Sequence, residues 1–315
     1  MVRLLAVLVL AGASVDAQTV TQVFGSGAYS FSMEFVTIGS PGNAGDTTGL
    51  PSPAGSVPYV YNLGKYEVSR DMVLKASTAG GLGLTLQDMT SYGGNGANRP
   101  ATGISWNEAA RFVNWLNATK GYAPAYNFTT SGPNDYMSVW AAGQYSGSNP
   151  YRHKNALFFL PSVDEWYKAA YGSPSGAWFN YPNGSDIKPA MVSNGSTGAV
   201  YGMDFPGSSP ADISDAGGLS AFGTMAQGGN AWEWMENLAA TVGSDAWIGE
   251  IRGGSWQTGG TIHDNLASHN RDAWLANTEF SDLGFRVAMV PEPSSLSLLL
   301  AGGAVLMAGR RGKQD

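Results

Sequence analysis

Apolar residues recur at helical spacing in only a few places along this chain. Ser105-Trp106-Asn107-Glu108 has the form of a capping box, in which the serine takes the backbone N–H three residues on and the glutamate reaches back. Ala109, Phe112, Val113 and Leu116 then repeat on one face and Gly121 lies past the end, which predicts a helix opening at Ser105. Ser162-Val163-Asp164-Glu165 is a second box, placed after Pro161, continued by Trp166, Ala169 and Ala170 and stopped near Gly172. A third helix is predicted from about Ser69 to Ala76. Phe35-Val36-Thr37-Ile38, Tyr59-Val60-Tyr61 and Phe285-Arg286-Val287-Ala288 read as short strands bounded by turns. Between residues 172 and 220 Pro, Gly, Ser, Asn and Asp dominate without periodicity, so irregular backbone is expected there. Few helices among short strands and loops predict an α+β fold with high irregular content.

Composition sharpens that reading. Glycine is 43 of 315 residues, about twice the usual share of roughly 7%. Disorder is excluded by 10 Trp, 14 Tyr and 12 Phe, which supply large apolar surfaces to bury. Cysteine is absent, which removes disulfides, thiol catalysis, iron–sulfur clusters and thiolate-bound zinc from consideration. The net charge is −7 with no Lys/Arg cluster in the body of the chain, which argues against nucleic-acid partners.

The two ends carry their own patterns. Residues 1–17 have a short basic start at Arg3, an apolar run from Leu4 to Ala13 and the small-residue site Val15-Asp16-Ala17, the form of a secretory signal peptide cleaved after Ala17. The run is shorter than the roughly 20 residues a membrane-spanning helix needs. At the other end Pro291-Glu292-Pro293 precedes an apolar stretch to Ala308, closed by Arg310, Arg311 and Lys313. Basic residues behind a short apolar helix form a stop-transfer pattern, with the basic side on the cytoplasmic face. Pro-Glu-Pro, apolar stretch and Arg-Arg together resemble the PEP-CTERM sorting signal of Gram-negative bacteria, over residues 291–315. That resemblance implies processing by an exosortase-type membrane protease, transient membrane contact through residues 294–309, and a final place at the cell surface, outer membrane or extracellular matrix. A plain membrane anchor is the alternative. Removing both ends leaves a body of residues 18–290 that is more acidic than the whole chain.

Within that body six islands stand in order. They are Gly64-Lys65-Tyr66-Glu67-Val68-Ser69, Arg99-Pro100 through Ser105-Trp106 to Asn114-Trp115-Leu116, and Leu160-Pro161-Ser162 to Glu165-Trp166. Gly229-Asn230-Ala231-Trp232-Glu233-Trp234, Arg252-Gly253-Gly254-Ser255-Trp256 and Leu283-Gly284-Phe285-Arg286-Val287-Ala288 follow. Their order and spacing resemble the sulfatase-modifying-factor domain, the formylglycine-generating-enzyme family. The resemblance implies a single compact domain of C-type-lectin-like topology, low in regular secondary structure. Read as residues, Trp115, Trp166, Trp232, Trp234 and Trp256 are core side chains. Arg286 requires a buried carboxylate or carbonyls, and the glycines beside Arg252 allow positive φ or close backbone approach.

The chemistry of the active family members is missing. Their two copper-binding cysteines, counted from Gly253-Gly254-Ser255, fall on Thr258 and His263, so formylglycine generation by copper–thiolate chemistry is excluded and no copper is expected. A family arginine falls on Arg271. Another branch of the family uses iron held by a histidine triad of a partner domain, yet His153, His263 and His269 do not form such a set. No Gly-x-Ser-x-Gly, His-Glu-x-x-His, Walker A or Gly-x-Gly-x-x-Gly motif is present. The resemblance also implies calcium at Gly229, Ala231 and Glu233, although Ala226 replaces an upstream Asn or Asp ligand; Asp186, Asp212 and Asp215 are candidates for a second site. Three functions follow. One is a non-catalytic surface module binding an extracellular polysaccharide or surface protein. The second is an enzyme with altered chemistry around Thr258, His263, His269 and Arg271, and the third is a purely structural matrix protein.

Overall fold

Both predicted capping boxes form. In the computed structural model, which describes residues 18–128, 137–202, 209–240, 247–257 and 264–291, Ser105 opens α2 (Trp106–Thr119) and Ser162 opens α3 (Val163–Tyr171). In each, the serine hydroxyl accepts from the backbone N–H of the glutamate three residues on, and that glutamate accepts from the serine N–H. The third predicted helix is α1 (Arg70–Gly80), capped by Ser69 and ended by Gly81 at φ 61°. These are the three α-helices among the described residues. The signal and sorting segments, and with them Thr258 and His263, lie outside the described residues.

Short strands make two main sheets. The first runs β1 (Thr19–Phe24), β2 (Phe31–Ile38), β3 (Tyr61–Gly64), β11 (Ala288–Met289) and β6 (Phe158–Phe159), antiparallel at each contact. The second runs β10 (Leu283–Gly284), β7 (Trp232–Ala240), β8 (Trp247–Arg252) and β9 (Asp272–Leu275), with β10 parallel to β7. The remaining pair is β4 (Asn127–Phe128) with β5 (Met137–Ser138).

Two predicted strands change form. Phe285 to Ala288 is not one strand, because Gly284 pairs with Glu233 in the second sheet while Ala288 pairs with Leu63 and Phe159 in the first. The intervening residues carry the chain from one sheet to the other, their carbonyls accepting from Val68 and Gly64. Of Tyr59-Val60-Tyr61 only Tyr61 enters β3; Tyr59 stays exposed at the rim.

One core joins the elements. Phe35, Ile38, Leu63, Val113, Leu116, Phe158, Trp234 and Phe285 belong to a single buried cluster between the helices and both sheets. Trp166, Trp234 and Trp256 are fully buried, whereas Trp115 and Trp232 are packed on the core with one side outward. Asn117 locks α2 to β6. Its amide nitrogen donates to Val113 O (3.1 Å) and Phe158 O (2.8 Å), and its oxygen accepts from Leu157 N (2.9 Å) and Phe158 N (3.0 Å). Every polar atom of that buried amide is thereby satisfied.

Candidate functional site

The N-terminus of α3, the middle of β7, the rim residue Tyr59 and the 146–156 loop enclose a cavity of about 470 Å³. Arg152 sits at its base, with its guanidinium 3.5 Å from the centre of the Phe159 ring. The arginine holds two buried carboxylates at once. It donates to Glu236 at 2.7 and 2.5 Å and to Glu165 at 3.2 and 2.9 Å, the forked geometry that suits a planar guanidinium.

Each carboxylate is then filled from other sides. Glu236 also accepts from Tyr126 Oη (3.0 Å) and Asn149 Nδ2 (2.6 Å). Glu165 also accepts from Tyr59 Oη (2.7 Å) and from the backbone N–H of Ser162 (2.7 Å). The capping glutamate of α3 is therefore part of the site as well as of the helix.

The two acids respond differently to burial. Desolvation pushes Glu165 up, but the Arg152 charge and its hydrogen bonds overcome this and leave the carboxyl below its ordinary range. Desolvation dominates at Glu236, which stays above its ordinary range despite Arg152. Burial pulls Arg152 down, and the two glutamates outweigh it and hold the guanidinium firmly charged. With every carboxylate oxygen already accepting hydrogen bonds, neither glutamate offers a free lone pair to a reacting group. Asn149, Tyr151, Lys154 and Tyr59 line the cavity beside these paired charges and give it hydrogen-bonding surface.

Behind this cavity lies a second buried ion pair. Arg286 donates to Glu233 through Nε and Nη2 at 2.6 Å each, to Gly64 O (2.8 Å) and to Met225 O (2.9 Å). Trp166 Nε1 donates to the same glutamate at 2.5 Å. The buried partner expected for Arg286 is thus Glu233. Glu67 stands close by, accepting from Asn230 Nδ2 (2.5 Å) and Ala231 N (3.0 Å). Burial and the neighbouring Glu233 charge push the Glu67 carboxyl up to about 8.

This pairing bears on the calcium expected at Gly229, Ala231 and Glu233. Calcium takes six to eight oxygen ligands, yet both oxygens of Glu233 are committed to Arg286 and Trp166, and Ala226 brings no side-chain oxygen. An ion there would have to share the Glu233 carboxylate with Arg286 and Trp166. Among the described residues no three His, Asp or Glu side chains converge on a possible metal position, so Asp186, Asp212 and Asp215 do not form a cluster. Asp186 accepts from Asn180 N, and Asp212 pairs with Arg99 at 3.4 Å.

Of the four cleft candidates, His269 and Arg271 are described. Both are exposed, and Arg271 pairs with Glu250 at 3.2 Å. His153 packs edge-on against Trp140 at 4.7 Å and borders the Arg152 cavity. Arg252 of the Arg-Gly-Gly-Ser-Trp island is fully buried, bonded to Glu250 and the carbonyls of Leu50 and Asn270. Gly253 there has φ 98°, and a Cβ at that position would fall 2.8 Å from Gln227 O, so the glycine is required. Ser255 Oγ donates to Asp282 at 2.5 Å, and burial raises that carboxyl.

Sequence reasoning missed Arg152, Glu236, Asn149 and Tyr59. The first and third lie in an aperiodic Gly/Ser/Asn stretch that offers no spacing to read. The available signal was stoichiometric: the apolar surroundings of Glu165 and Glu236 demand a cation from elsewhere in the chain.

Comparison with known proteins fits these features. The family described as sulfatase-modifying factor enzyme 1-like domain matches residues 52–290. The chain belongs to that family. Treponema denticola variable protein 1 is similar in fold, with a TM-score of 0.58 and 20% identity, over 86% of this chain and 99% of that one. CarF is similar with a TM-score of 0.56 and 17% identity, over 88% and 99% of the two chains. PvdO from Pseudomonas aeruginosa gives 0.49 and 17%, over 86% and 98%. A search among curated proteins finds no match. The sulfatase-modifying-factor fold is C-type-lectin-like, and the α+β architecture with two sheets and few helices is its form here.

Proposed function

We propose that this sulfatase-modifying-factor chain is an exported, surface-sorted binding module that acts without catalysis. The observation that carries this is the Arg152 cavity. Both of its carboxylates are filled, by Arg152 together with Tyr126, Asn149, Tyr59 and the Ser162 N–H, while Tyr151 and Lys154 line it beside Asn149 and Tyr59. Aromatic edges beside amide, hydroxyl and ammonium groups suit a hydroxyl-rich ligand, and an extracellular polysaccharide is the class with that chemistry. The absence of cysteine supports the non-catalytic part, since the family's copper–thiolate step has no thiolate to use.

Residues 1–17 supply the export signal in this reading, and residues 291–315 supply the PEP-CTERM sorting segment on which an exosortase-type protease acts. No helix among the described residues is long and apolar enough to cross a membrane.

A glycan array probed with the purified protein tests the binding role. Binding to at least one polysaccharide is expected, weakened about tenfold by combining Asn149→Ala with Tyr151→Ala, which corresponds to roughly 1.4 kcal/mol. Arrays without signal for any glycan would defeat the reading. Mass spectrometry of surface material tests the sorting: peptides beyond Ser294–Ser295 should be missing, and an intact Arg310–Arg311 end would refute processing.

A further inference from the structure

A second cavity, of about 510 Å³, opens between residues 40–45, after β2, and residues 172–178, after α3. Lys168 of α3 lines it, with only 2% of its surface exposed. Its ammonium makes one hydrogen bond, to Ser40 O at 2.8 Å, and Ser40 holds a φ of 53° that is uncommon for a residue with a side chain.

Among the described residues no carboxylate pairs with Lys168. Two acids of neighbouring segments bond elsewhere: Asp46 accepts from Thr48 N (2.8 Å), Thr48 Oγ1 (2.7 Å) and Tyr167 Oη (2.6 Å), and Asp164 accepts from Gly55 N (2.7 Å). A cation held out of water without a counter-ion is costly, and the chain keeps one on a cavity wall. Burial alone pulls the Lys168 ammonium down to about 8, so near neutrality it is charged and uncompensated.

The remaining lining completes a small receptor. Ser173 and Ser175 place their hydroxyls 2.9 Å apart, and Trp178 brings an aromatic ring that is only partly covered by Tyr167. We infer that this cavity is a binding site for a carboxylate-bearing ligand, whose single negative charge pairs with Lys168 while its carbon body lies against Trp178. One buried cation matches one carboxylate. A phosphate dianion would exchange an uncompensated positive charge for an uncompensated negative one. Two sources share this chemistry, a uronic acid unit of an acidic saccharide and a small free carboxylate.

The site is separate from the Arg152 cavity, and its test stands apart from the polysaccharide reading. Calorimetric titration of the purified protein with glucuronate, glucose, acetate and inorganic phosphate is the experiment. Glucuronate should bind, and more tightly than glucose. Lys168→Met, nearly the same shape without the charge, should lower glucuronate affinity at least tenfold and leave the melting temperature equal or higher. Lys75→Met, at a lysine paired with Asp71 outside both cavities, should leave glucuronate binding unchanged. Glucuronate binding tighter than acetate assigns the saccharide source, and equal binding assigns the free carboxylate. Equal binding of glucose and glucuronate, preference for phosphate, no binding of either carboxylate, or full affinity in Lys168→Met would each overturn the inference.

Discussion

Glu233, Arg286 and Glu67 show how much single residues set in this protein. Removing one member of a buried ion pair strands the other, so Glu233→Gln is expected to destabilise by about 3–5 kcal/mol, read from urea unfolding. Because that carboxylate is already filled, the melting temperature should be the same with excess calcium and with a chelator. A calcium-dependent rise would show that the ion displaces Arg286. Glu67 governs a pH dependence. Its folded pKa of about 8 lies above the ordinary 4.5, so the folded chain binds its proton more tightly than the unfolded one. Stability from this group is then complete below about pH 4.5 and is lost as pH rises toward about 8, at up to roughly 1.4 kcal/mol per pH unit. Unfolding midpoints measured across that range should fall in wild type and flatten in Glu67→Gln. A slope unchanged by the substitution would assign the effect elsewhere.

At the scale of elements, the helices were legible because their signals are local. A capping box needs four consecutive residues, and both predicted boxes formed at Ser105 and Ser162. Replacing either serine by alanine should cost about 1 kcal/mol. Ser162→Ala should also loosen the Arg152 cavity, since the same cap orients Glu165. Asn117→Ala should cost more, roughly 2–4 kcal/mol, because it strands backbone groups of both α2 and β6 in the core. The strands were less legible. Phe285 to Ala288 alternates like one strand, but its ends pair in different sheets, and nothing local marks the crossing.

For the whole molecule, the chain alone settled the family, the α+β class and the loss of cysteine chemistry. Those follow from ordered islands, from local helix signals and from composition, none of which requires knowing what touches what. Thiol reductants and copper should therefore leave the melting temperature unchanged. The candidate site was another matter. Glu165 could be read as a cap from its neighbours, but its second role depends on Arg152, thirteen residues away across a loop, and on Glu236, seventy-one residues away on β7. No local pattern singles out Lys168; its burial comes from the 40–45 segment, whose Ser40 carbonyl accepts from it. Local sequence encodes where a helix starts and what chemistry is available. Only folding decides which charges lose their water and which partners reach them, because burial and pairing are properties of residues distant in the chain.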